Sequence, residues 1–133
     1  MPAPSLAPPA GALLVQATPT AGGPIALAGT VLLAWAFFAF TAQVAASFFL
    51  GDVPWLRAVA VGAVPALAVT ALIRYPPVVI LPVALGADLV AVQMVYRLRY
   101  RTAALVTGMH AVAAISLGVP LTYLLELLGT APA

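Results

Sequence analysis

The sequence predicts an all-α integral membrane protein: a bundle of four antiparallel transmembrane helices behind a disordered, proline-rich amino-terminal tail. Three observations carry this expectation. Hydrophobic residues make up 65% of the 133-residue chain and charged residues 6%, against roughly half and roughly a quarter in a soluble domain. Mean hydropathy is +1.17. The apolar residues fall into four blocks, each near or above the ~20 residues that span a bilayer core of ~30 Å. A water-soluble fold of this length would expose more contiguous apolar surface than water tolerates.

Residues 1–24 carry Pro2, Pro4, Pro8, Pro9, Pro19 and Pro24 and no charged side chain, which predicts a flexible, partly polyproline-like tail. A cleaved signal peptide is the rival reading. It is disfavoured because the apolar core "GALLVQA" is short and no Arg or Lys precedes it. Residues 25–128 then form the transmembrane domain, with helices expected over about 25–50, 55–73, 77–96 and 102–125. Backbone groups in lipid must be satisfied internally, so these blocks can only be helices. Their punctuation agrees. "LGDVPW" offers Gly51 as a helix stop, Asp52 as an N-cap and Pro54 in the next first turn. "RYPP" places Arg74 in a last turn and a proline pair at the next helix start. Pro65, Pro82 and Pro120 fall inside blocks, where membrane helices tolerate them as kinks.

Orientation follows from the arginines. The links between helices one and two and between three and four hold Arg57, Arg97, Arg99 and Arg101, whereas the other side has only Arg74. The positive-inside rule puts this basic cluster in the cytoplasm and both termini outside a cell membrane crossed several times. Trp55, Tyr75, Tyr96 and Tyr100 mark the expected boundaries, as an aromatic belt requires. The "YRLRYR" run is read mainly as a topology signal. Its second reading is contact with anionic lipid head groups or a partner's acidic patch.

The stretch "GADLVAVQMVYRLRYRTAALVTGMH" carries the candidate site. Asp88 lies nine residues before Arg97 and His110 nine after Arg101. At 1.5 Å rise per residue both sit ~13–14 Å deep, near the midplane, on adjacent helices. Ala84, Asp88, Ala91 and Val95 share one helix face, and Ala103, Thr107, His110 and Ala114 share one face of the next. Small residues mark tightly packed membrane helices, so both polar groups are expected to face protein. Thr41 and Gln43 reach a similar depth and, with Thr107, complete an expected polar layer. A midplane Asp costs about 2.5–3.5 kcal/mol to insert and needs protonation or a partner. One reading is a proton or cation site built on two coupled titratable groups. The other, favoured here, is an interhelical hydrogen bond that specifies packing, because coupled transporters usually show more polar residues, broken helices or inverted repeats. Arg74 and Glu126, both near the outer interface, are a candidate surface pair.

Several chemistries are excluded. The chain has no Cys, and its five basic residues are all arginine, so disulfides, thiolate sites and Schiff bases are absent. One His and one Asp leave too few ligands for a metal. The net charge of +2 argues against nucleic acid as a partner. The Ser nearest His110, Ser116, lies on a different helix face, and no nucleophile elbow, zinc-protease motif or phosphate loop occurs. The expectation is a non-enzymatic protein without a cofactor, which stabilises or accompanies a membrane assembly or forms a homo-oligomer. The alternative is a small proton- or cation-coupled transporter centred on Asp88 and His110.

The segments "LGDVPWLRA", "VYRLRYRTAALVTGMH" and "LLGTAPA" resemble a family of small, uncharacterised four-helix membrane proteins from haloarchaea. The resemblance covers roughly residues 27–130 and leaves out the tail. It implies membrane location and helix count, and it brings no activity with it.

Overall fold

A computed structural model of the chain describes residues 23–130. It is all-α, with four helices: α1 (Gly23–Leu50), α2 (Trp55–Ala71), α3 (Pro77–Tyr96) and α4 (Tyr100–Thr130). Of the expected tail, residues 1–22 lie outside the described residues, while Gly23 and Pro24 open α1. Three helices, α1, α3 and α4, are long and apolar enough to cross a membrane. The second is shorter, 17 residues, or ~25 Å at 1.5 Å per residue. It stops before the expected 73 because the chain must turn ahead of Pro76, and a residue preceding proline is disfavoured in α geometry. The turn is tight, with the Tyr75 amide donating to the Leu72 carbonyl at 2.8 Å. Arg74 therefore sits in the link rather than in a last helical turn. In contrast, α4 runs past the expected Leu125 to Thr130, since no proline intervenes before Pro132.

Two expected caps differ as well. Asp52 does not cap α2. Pro54 occupies the N-cap with no side-chain hydrogen bond, and Asp52 is exposed in the preceding bend. At the end of α3, Arg97 takes the left-handed conformation (φ 55°, ψ 44°). The Leu98 amide reaches back to the Gln93 carbonyl at 3.1 Å, closing the helix end. Gly51, at φ 77°, plays the corresponding role after α1 at no steric cost, its amide bonded to the Ser47 carbonyl at 3.1 Å.

The chain divides into two compact units after Leu33. In the first, the Thr30 hydroxyl donates to the Ala26 carbonyl one turn back, at 2.8 Å. In the second, α2 packs against α3 and α3 against α4. Close contact between α1 and α2 rests on Gly62. A Cβ there would lie 2.6 Å from the Ala39 Cα and 2.8 Å from the Phe38 carbonyl carbon, both backbone atoms. The Trp35 indole N–H adds a bond to the Val59 carbonyl at 2.7 Å.

The core is made of small residues. Ala42, Ala45 and Ala46 of α1 pack with Ala58 and Val61 of α2, Val92 of α3 and Ala103 and Val106 of α4. Tyr96, expected in an interfacial belt, is instead buried in this cluster, whereas Trp55 and Tyr100 at helix starts and Tyr75 in the link before α3 are exposed. The buried residues of α1 and α3 begin at Ala39 and Asp88 and continue toward the arginine-bearing links, and those of α4 end at Ala113. In α4, every residue from Val119 to Thr130 is exposed.

Candidate functional site: a buried Asp–His pair under an apolar cavity

The site lies where the packed core ends. Asp88 projects from the middle of α3 and His110 from α4, each only 3% exposed. Ala91 and Val92 beside Asp88, and Val106 and Ala113 beside His110, are small enough for the helices to come close. His110 Nδ1 and Asp88 Oδ2 are 2.7 Å apart. Sequence-matched depth thus becomes a direct bond between neighbouring helices.

The other imidazole nitrogen faces α1. Nε2 lies 3.0 Å from Thr41 Oγ1 and 3.2 Å from the Phe38 carbonyl oxygen. Thr41 Oγ1 is also 3.1 Å from the carbonyls of Phe37 and Phe38, the usual back-bond of a helical threonine. These neighbours assign the protons. A carbonyl only accepts, so a bare Nε2 lone pair would face the Phe38 oxygen repulsively. Nε2 therefore carries a hydrogen, and the Thr41 hydroxyl donates to its own helix while accepting from the ring. One further proton lies between Nδ1 and Oδ2. That shared hydrogen lets each group serve as the other's partner, which is what burial of a polar pair requires.

The expected polar layer is only partly assembled. Thr41 joins the pair. Thr107 is buried, yet its hydroxyl has no hydrogen-bond partner among the described residues. Gln43 does not take part. Its Nε2 donates to the Val53 carbonyl at 2.9 Å and contacts Ser47 Oγ at 3.3 Å, tying α1 to the following link instead. The reason is helical phase: Gln43 is two residues from Thr41, on a different face. The Phe38 carbonyl is a partner that sequence reasoning missed, because backbone acceptors leave no side-chain signal. Arg57, Arg97, Arg99 and Arg101 are all exposed, and none of them comes within ion-pairing distance of Asp88. The expected Arg74–Glu126 pair is not formed: among the described residues only Asp88 and His110 come within ion-pairing distance. No third His, Asp, Glu or Cys stands with them there.

Above the pair is a partly open cavity of about 270 Å³. Phe37 and Phe38 of α1, Pro65 of α2, Leu81 and Ala84 of α3 and Ala114 of α4 form its walls, and Asp88 and His110 line it as its polar residues. The second carboxylate oxygen, Asp88 Oδ1, is buried without a hydrogen-bond partner among the described residues. Pro65 brings no amide hydrogen to the wall, so α2 adds no donor for that oxygen there.

Fold and site define a class: an all-α protein with three helices long and apolar enough to cross a membrane and a buried, hydrogen-bonded Asp–His pair between two of them. The chain belongs to a family of unknown function, DUF7473, which it matches over residues 21–132. The family's description states no activity, and it adds nothing on source organism or membrane location. No curated protein and no solved structure matches the chain.

Proposed function

We propose that this is a non-enzymatic, multi-pass membrane protein of the cell membrane, a structural or accessory component of a larger assembly or of a homo-oligomer. All four helices cross the bilayer in alternating directions on this reading. At 17 residues α2 meets the lower limit of ~17 for a span. The arginine-bearing links face the cytoplasm, where anionic head groups meet the exposed Arg57, Arg97, Arg99 and Arg101, and both termini lie outside.

The observation that carries a structural role is the use of the polar residues. Asp88, His110 and Thr41 spend four of their polar atoms bonding α3, α4 and α1 to one another. Beyond them α4 offers a long, exposed, apolar stretch including Leu121, Leu124 and Leu128, a face for lipid or a partner helix. The test is native mass measurement and cross-linking of the chain extracted in its own lipid. Defined oligomers or a stoichiometric partner are expected. A strictly monomeric chain with no co-purifying protein would overturn the assembly role.

A second reading, a small proton- or cation-coupled transporter, draws on one observation: the unpartnered Asp88 Oδ1 beside a cavity. Against it stand the apolar walls, which do not hold a water file, and the packed core below the pair. Liposome pH flux decides between them. Flux in wild type that both Asp88→Asn and His110→Ala abolish would establish transport; none is expected.

A further inference from the structure

We infer that the cavity above the Asp88–His110 pair seats the hydrocarbon tail of a bilayer lipid, inserted methyl end first from the leaflet opposite the arginine-bearing links. The inference rests on the membrane reading above, and the lining, size, depth and mouth of the cavity each bear on it.

The lining sets the chemistry. Asp88 and His110 are the polar residues of the wall, yet their polar atoms are spent or covered. Oδ2 and Nδ1 meet each other, Nε2 meets Thr41 and the Phe38 carbonyl, and Oδ1 is buried. What the cavity presents is hydrocarbon. Such a surface has nothing with which to orient a hydroxyl, an amine or a carboxylate, and polar ligands depend on a few placed polar groups. Water is excluded on the same ground, since a buried water needs about two to four polar neighbours and apolar cavities stay dry. Left empty, the walls forfeit dispersion contacts. A purely hydrocarbon occupant restores them.

The size calls for a chain. At about 270 Å³ the cavity is nearly twice the roughly 150 Å³ apolar void that takes up one benzene. In proportion it has room for roughly ten carbon atoms, more than any aliphatic side chain of a second copy supplies. On α3 its walls run from Leu81 to Asp88, ~10 Å along the axis at 1.5 Å per residue.

Depth and mouth select the bilayer as the source. The pair lies at the inner end of the cavity, near the midplane, where lipid tails end. The remaining walls of α3 and α4 lie toward Pro77 and beyond His110, away from the arginine-bearing links. Phe37 joins α1 to α4 at that outer level, its Cζ 3.5 Å from where a Cβ on Gly118 would lie. The exposed residues of the lining are Leu81 and Leu85 of α3 and Ile115 of α4, at 59%, 44% and 63%. The mouth therefore opens between α3 and α4 onto the apolar surface that lipid tails cover.

The test uses the full chain in lipid nanodiscs doped with a phosphatidylcholine that carries a photoreactive diazirine at the methyl end of one acyl chain. Recovery of the chain in the membrane fraction is established first. A chain found in the soluble fraction overturns the membrane reading, and the lipid occupant with it, before any labelling. After illumination, adducts are mapped by peptide mass spectrometry. Tails that only surround the protein label exposed residues such as Leu124. A tail inside the cavity is expected to label the half-buried Phe38, Ala84 and Ala111 as well, severalfold above Leu89, which is half-buried but outside the cavity. Labelling of those three no higher than Leu89 overturns the proposal. Ala114→Leu, which fills the cavity from its α4 wall, is expected to abolish their adducts and leave those on Leu124 unchanged. Unchanged cavity adducts in that variant overturn this cavity as the seat. A diazirine beside the ester carbonyl is expected to label the three residues weakly, and equal labelling from both positions overturns entry by the methyl end. Joining of Ala114→Cys chains by a short bis-maleimide would place a second copy over the mouth and overturn the lipid tail as occupant. The wild-type comparison with Leu89 decides the matter even where a variant does not fold.

Discussion

Nε2 of His110 meets two oxygens and Nδ1 meets one, and this asymmetry governs what substitutions at the pair will do. With a hydrogen fixed on Nε2, the neutral ring offers Nδ1 as an acceptor. Asp88→Asn can then donate its amide hydrogen to Nδ1 and keep the bond between α3 and α4. Asp88→Ala cannot, and it leaves Nδ1 buried and unpaired. The expected loss is about 1–3 kcal/mol for Asp88→Ala, the usual range for orphaning a buried polar group. For Asp88→Asn it is under about 1 kcal/mol, within the range of single hydrogen bonds between membrane helices. Unfolding midpoints in a mild detergent measure both, and equal losses would refute the proton assignment.

Among the helices, glycines and one arginine mark where the backbone itself sets the geometry. Gly62 of α2 lies against the backbone of Ala39 and Phe38 in α1, and backbone cannot move aside as a side chain does. Gly62→Ala is expected to destabilise by about 1–3 kcal/mol through overpacking. Around Gly86 of α3, a methyl on the Cα would meet nothing within 4 Å, so Gly86→Ala should be neutral or gain up to about 1 kcal/mol of helix propensity. Denaturation of the two variants side by side checks the contrast. Arg97 holds a left-handed conformation that a non-glycine residue adopts reluctantly. Arg97→Gly is expected to stabilise the α3–α4 turn, by roughly 0.5–1 kcal/mol, with a raised unfolding midpoint as the readout. A fall in that midpoint would show that the guanidinium contributes more than the strain removes.

At the scale of the molecule, the proposed orientation can be read with unusual clarity because the chain has no cysteine of its own. Asp52→Cys, in the exposed link before α2, should react with a membrane-impermeant maleimide only after lysis. Tyr75→Cys, in the exposed link before α3, should react in intact cells. The reverse pattern would invert the topology drawn from the arginines. Much of the architecture is legible in the residues. A predominantly apolar run of ~20 residues, bounded by Gly51 or by Pro76 and Pro77, is a helix whatever its neighbours do. The depth match of Asp88 and His110 follows from counting residues on either side of a turn. Tyr96 departs from the expected belt because its position at a helix end says nothing about which way its ring points, and the small residues around it let that ring turn inward. Gln43 departs from the expected layer because depth alone ignores helical phase.

The residues alone specify the helical class, the number of helices, the approximate ends of the first three and the level at which an Asp and a His lie. Those properties depend on local hydropathy, on proline and glycine punctuation and on the fixed rise of a helix. Packing in three dimensions is what brings Nδ1 to Oδ2, closes the network with the Phe38 carbonyl and Thr41, and leaves Asp88 Oδ1 unpartnered beside a cavity. Those features depend on how four helices are rotated and spaced against one another. Rotation is set by contacts such as Gly62 on Ala39, between residues far apart in the chain, to which no local pattern responds.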